Sequence, residues 1–114
     1  MNIEYIARVV HEVNRAYCAA LGDDSQPPWE DIPEWMRESV GNGVFFHLEN
    51  PNATPAESHE NWLTVKERQG WKYGPVKDEV KKEHPCMVPF VQLPITQKAK
   101  DYIFKALVDN LSKD

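Results

Sequence analysis

The residues able to do chemistry crowd into one stretch, SHENWLTVKERQGWKYGPVKDEVKKEHPCMVPF, residues 58–90. Trp62, Trp71 and Tyr73 stand there beside Lys66, Arg68, Lys72, Lys77, Lys81 and Lys82. Residues 66–84 hold six of the thirteen basic residues against four acids, a local +2 that leaves −7 for the remainder of a chain whose net charge is −5. Aromatic faces stack on nucleobases at about 1–3 kcal/mol each, and lysine or arginine meets phosphate through charge-assisted hydrogen bonds. The combination suits a small anion carrying a flat ring, with a nucleotide the obvious candidate. The competing reading is structural: Trp62 on the buried side of a helix, Trp71 plugging the core past the helix end, and the lysines solvated. A buried tryptophan and a stacking tryptophan look the same in a string of letters.

Catalytic patterns fail one by one. His47-Leu48-Glu49 followed by Pro85-Cys86 begins the zinc deaminase pattern, but Pro89 stands where the second thiolate is needed. His59-Glu60 has no second histidine four residues after His59, so the helical metalloprotease motif is absent. Cys86 with His84 or His11 is a nucleophile pair by residue type alone, and nothing flanking it resembles an oxyanion hole. No glycine-rich phosphate loop occurs. The expectation is a protein that binds without catalysing, with no metal and no cofactor.

Four helices must position these residues. Ile3, Ile6, Val10, Val13, Tyr17 and Ala20 recur in steps of three and four, with Gly22 as the stop. A second helix is predicted from about Pro33 to Asn50, with Asp31 and Glu34 at capping-box spacing and a bend or break at Gly41 and Gly43. Thr54, Pro55 and Glu57 open a third, running to about Gln69 and closed by Gly70. The fourth runs from Pro94 or Thr96 to about Leu111, with Ala99, Tyr102, Ile103, Ala106 and Leu107 on one face. The proline-rich segment 22–31 reads as a turn. Residues 70–93 read as a long ordered loop, in which CMVPF forms a short strand confined to an edge or bulge by Pro89. Loops longer than about 15 residues in a compact domain are usually functional or disordered, and the aromatic content here favours function. The fold expected is mainly α, about four helices around one core with a long loop and short β pieces.

The length of 114 residues fits a single domain, 1–114. The acidic balance, with pI near 5.3, argues against a nucleic-acid polymer as partner. No run of about 18 apolar residues occurs, and the start, MNIEYIARVVHEV, has acids and a helical period in place of a basic leader, so neither a membrane span nor secretion is expected. Cys18 and Cys86 are too few for a disulfide framework, and a reducing cytoplasm fits best.

The same stretch resembles the repeat domain of ryanodine receptors, whose pattern is roughly H-x-x-W, a short helix, Q-G-W-x-Y-G-x-x-[RK]-D, then H-P-x-[LM]-V-x-[FY]. His59, Trp62, Gln69, Gly70, Trp71, Tyr73, Gly74, Lys77, Asp78, His84, Pro85, Met87, Val88 and Phe90 match it. The flanks look like the stand-alone single-domain form found in bacteria and phages, so the likeness covers almost the whole chain. The resemblance implies a mainly helical binding module, remote from any channel pore, with adenine nucleotides or an ADP-ribose-like signal as ligand. This agrees with the reading of the loop, in which Trp62, Trp71 and Tyr73 would stack the base, Lys66, Arg68 and Lys77 would contact phosphate, and His84 would join the site. Receptor repeats come in tandem pairs, whereas this chain has one copy. Either its first helix takes the partner's place, with His11, Asn14 and Arg15 completing the pocket, or two chains pair as a homodimer. The alternative class is a protein-interaction or structural module with no small-molecule ligand, in which the motif only pins the loop.

Overall fold

The computed structural model describes residues 2–113. Helix α1 spans Ile3–Ala20, α2 Glu34–Glu49, α3 Pro55–Arg68 and α4 Ile95–Leu111. Between α3 and α4 lie two strands of two residues, β1 (Lys72–Tyr73) and β2 (Glu83–His84), and single 3-10 turns occupy Trp29–Asp31 and Phe90–Gln92. The fold is mainly α, as the sequence periodicity implies.

Each helix boundary has a local chemical cause. At α3, Thr54 Oγ1 accepts from the Glu57 N–H at 3.1 Å while the Glu57 carboxylate accepts from the Thr54 N–H at 2.9 Å, completing the capping box. Gly70, at φ +91°, ends α3: its N–H donates to Glu67 O and the Trp71 N–H donates to Lys66 O. The same pair of bonds closes α1, where Gly22 (φ +91°) donates to Ala19 O and Asp23 to Cys18 O. The capping box expected for α2 does not form. Pro33 occupies the N-cap without a side-chain bond, because Asp31 is taken up in the preceding 3-10 turn.

Two further expectations are corrected. Helix α2 runs unbroken through Gly41 and Gly43. A Cβ on Gly43 would lie 2.8 Å from Cζ of Phe104, so this glycine is there to let α4 approach. The CMVPF segment is not a strand; its end enters the 3-10 turn at Phe90, and the β pieces lie upstream. There β1 and β2 pair in parallel, Lys72 with Glu83 and Tyr73 with His84. The short connection is possible because the chain folds back on itself: Asp78 and Glu83 form an antiparallel bridge, Asp78 Oδ1 accepts from the N–H groups of Val80 and Lys81, and Lys82 turns at φ +55°.

The helices pack as a ring, α1 on α2, α2 on α3, α3 on α4 and α4 on α1, with α2 and α4 also touching across the middle. Ile6, Ala7 and Val10 of α1, Trp29 and Ile32 of the turn, Met36 and Val44 of α2 and Val108 of α4 form the core. Cys18 is buried. The turn is held to α1 by its own polar groups: the Trp29 N–H donates to Glu12 Oε2 at 2.9 Å, and His11 Nε2 donates to Pro27 O at 2.7 Å.

Candidate ligand-binding site

His59, Trp62 and Lys66 follow one another at steps of three and four along α3, so one face of this helix carries all three. The His59 ring stacks on Trp62, centroids 5.4 Å apart and planes 22° from parallel. The glycine stop at Gly70 then folds Trp71 back over Lys66, and Trp35 comes in from α2 to lie 5.4 Å from the Trp71 ring. The Lys66 ammonium ends inside this cage, 4.5 Å from the Trp35 centroid, 5.3 Å from Trp71 and 5.8 Å from Trp62. Lys66 is only 6% exposed, and among the described residues its ammonium meets neither a carboxylate nor a hydrogen-bond acceptor.

These side chains form one wall of a cavity of about 220 Å³. Val10, His11, Asn14 and Tyr17, one stripe of α1, form the opposite wall. Helix α2 contributes Trp35, Met36, Ser39, Val40 and Gly43; α4 contributes Gln97, Lys100, Asp101 and Phe104; the loop adds Trp71, Lys77, His84 and Cys86. Apolar walls with a few convergent polar groups are the usual composition of a small-molecule site.

The charged groups respond to this burial. Desolvation, reinforced by the Lys77 ammonium, pulls Lys66 down to about 8. Desolvation pulls His84 down to about 4, aided by Lys77, Lys66 and Lys100. His84 is held neutral by a hydrogen bond as well: its Nδ1 accepts from the Cys86 N–H at 3.0 Å, so the ring proton sits on Nε2 as a donor. Burial pushes Asp101 up to about 7 against the opposing pull of Lys100. It also raises the Cys86 thiol, whose Sγ donates to Gln97 Oε1 at 3.6 Å. A raised thiol and a neutral imidazole that already accepts a backbone bond do not make a nucleophile–base pair. The arrangement offers three cations, a neutral N–H donor and aromatic faces around a small void.

Residues 48–111 match the family model of the RyR domain. The chain belongs to the RyR domain family. The match begins at the end of α2, so the RyR model covers the α3 face, the loop and α4, whereas α1 and most of α2 lie outside it.

The residues expected at the site divide accordingly. Trp62, Lys66, Trp71, Lys77 and His84 line the cavity together, and Asn14 reaches it from α1. Three residues expected there lie elsewhere. Tyr73 is 58% exposed on the two-residue strand β1 and is not among the residues lining the cavity. Arg68 is exposed near the end of α3. Arg15 is bound to Glu12 on the outer surface of α1, at 3.1 Å. Other motif residues are structural: Gln69 Nε2 donates to Trp35 O at 3.0 Å, and His59 Nε2 donates to Val88 O at 2.7 Å. Trp35, Lys100 and Asp101 complete the site, although the sequence reading did not include them. A tryptophan four residues before Ser39 on a glycine-bearing helix was the available signal for Trp35.

Proposed function

We propose that this RyR domain is a non-catalytic module that binds a small nucleotide-like ligand, an adenine nucleotide or an ADP-ribose-like signal. The observation that carries the reading is Lys66, a buried and unpaired ammonium held by Trp35, Trp62 and Trp71 at the wall of a cavity. An unpaired buried charge is costly, and the natural compensation is an anion supplied from outside. The void is smaller than the roughly 300–1,000 Å³ of most ligand sites, which suits a ligand only partly enclosed, its phosphate meeting Lys66 and running out past the exposed Lys77. No helix among the described residues is long and apolar enough to cross a membrane. A cytoplasmic setting in a bacterium or phage is part of the same proposal.

A screen of purified protein against adenine nucleotides, ADP-ribose, cyclic ADP-ribose and cyclic dinucleotides, read by thermal shift and tryptophan fluorescence, tests it. A ligand at about a hundred times its Kd adds roughly 2.7 kcal/mol, a shift of several degrees. Lys77→Glu and Lys100→Glu, both at partly or fully exposed positions, should weaken that shift while leaving the unliganded Tm within a few degrees. Silence across the panel would turn attention to the second reading, a protein-interaction module or homodimer. Its supporting observation is the apolar exposure of Val76 (71%) and Val80 (95%) on the loop.

A further inference from the structure

Among the described residues Asp101 is the one carboxyl group in the lining of the cavity, and its side chain is only 18% exposed. Buried carboxylates are normally met by donors; this one is not. Among the described residues its carboxyl makes no hydrogen bond, and His59 Nδ1 lies 3.9 Å from Oδ2, beyond hydrogen-bond range. His59 Nε2 donates to Val88 O, which leaves Nδ1 as the ring nitrogen facing Asp101. Burial stabilises the protonated acid and, against the pull of Lys100, places its midpoint at about 7. The other titratable groups facing this region are Lys66 of α3, Lys100 of α4, Cys86, His84 and Lys77 of the loop, and His11 and Tyr17 of α1; α2 lends none to the lining.

A protonated carboxylic acid carries a donor and an acceptor side by side, whereas a carboxylate carries acceptors alone. Adenine presents an N6 amino donor next to the N1 or N7 acceptor, a pair matched by one donor and one acceptor. Guanine presents two adjacent donors, N1–H and the N2 amino group, which two acceptors match. We propose that Asp101 reads the edge of the bound purine, and that its ionisation turns the preference of the site from adenine towards guanine. The inference rests on the nucleotide reading above and gives that reading a base-specific determinant. Lys66, Lys77 and Lys100 would contact the phosphate of either nucleotide, so their own titration cancels in a ratio of affinities.

The test is calorimetric titration of the full chain with AMP and with GMP at about pH 6 and about pH 8, either side of the midpoint. The AMP-to-GMP affinity ratio should fall about ten-fold between the two pH values, the size of one bidentate base contact. In Asp101→Asn, whose amide keeps one donor and one acceptor at every pH, the ratio should stay constant and close to the native value at the lower pH. Asp101→Ser, which cannot make a bidentate contact, should bring the ratio near unity at both. A native ratio that does not move with pH, with binding intact, would overturn the role of Asp101 and leave the nucleotide reading standing. Absence of binding by both nucleotides at both pH values would remove the two together.

Discussion

Lys66 is held against its own electrostatic preference. Three tryptophan faces attract its ammonium, at about 0.5–2 kcal/mol per cation–π contact, yet desolvation outweighs them and the group falls to about 8. Replacing a buried charge by an apolar side chain of similar volume is commonly neutral or stabilising by about 1–4 kcal/mol. Lys66→Met should therefore raise the unfolding free energy at neutral pH by about 1–3 kcal/mol in urea titrations and abolish anion binding in the ligand screen. If the variant were instead less stable, the ammonium would be the glue of the tryptophan cage and not its occupant's anchor. Trp71 shows why the two readings offered by the sequence were never exclusive: at 5% exposure it is a core residue by burial, and its ring also lines the void.

At the scale of elements, the two glycines of α2 make opposite predictions. Nothing lies within 4 Å of a Cβ built on Gly41, so Gly41→Ala should stabilise by up to about 1 kcal/mol through helix propensity alone. Gly43→Ala drives a methyl group into the Phe104 ring at 2.8 Å and should destabilise, by about 1–3 kcal/mol, in the same chemical denaturation experiment. This contrast marks what the letters could tell. The helix ends were legible because Thr54, Pro55, Glu57, Gly22 and Gly70 act through bonds within a few residues. Continuity through Gly43 was not, because its cause is a ring sixty positions away. The strands were equally hidden, being two residues each and defined only by their pairing. Within the site, Trp62, Lys66 and Trp71 were legible because a single helix face and its stop bring them together. Lys100 and Asp101 read as ordinary charges on a C-terminal helix, and only packing against α3 and the loop turns them inward.

For the whole molecule, the perturbed groups predict an uneven pH profile of stability. His84, lowered to about 4, and His47, lowered by burial at 1% exposure with both ring nitrogens unpaired, bind more protons unfolded than folded below about pH 6.5. Their contribution is thus lost as pH falls through that window. Asp101, raised to about 7, works the other way: the folded state binds the extra proton between about 3.8 and 7, and stability declines as pH rises there. With two histidines working against one carboxyl, stability should rise with pH between about 4 and 6.5. Above 6.5 Asp101 alone should leave a shallow decline to about 7, and beyond about 8 the unfolded state holds the Lys66 proton longer, so stability recovers. Urea midpoints measured from pH 4 to 9 check the profile, and Asp101→Asn should flatten the decline. Finally, the cavity straddles the boundary of the RyR match: Val10, His11, Asn14 and Tyr17 face it from α1, outside residues 48–111. The cations and tryptophans of α3, the loop and α4 thus make one half of a mould, and α1 supplies a counterpart that the RyR match does not include. Recoding a handful of positions on the first helix could reshape what the protein accepts without disturbing the half that grips it.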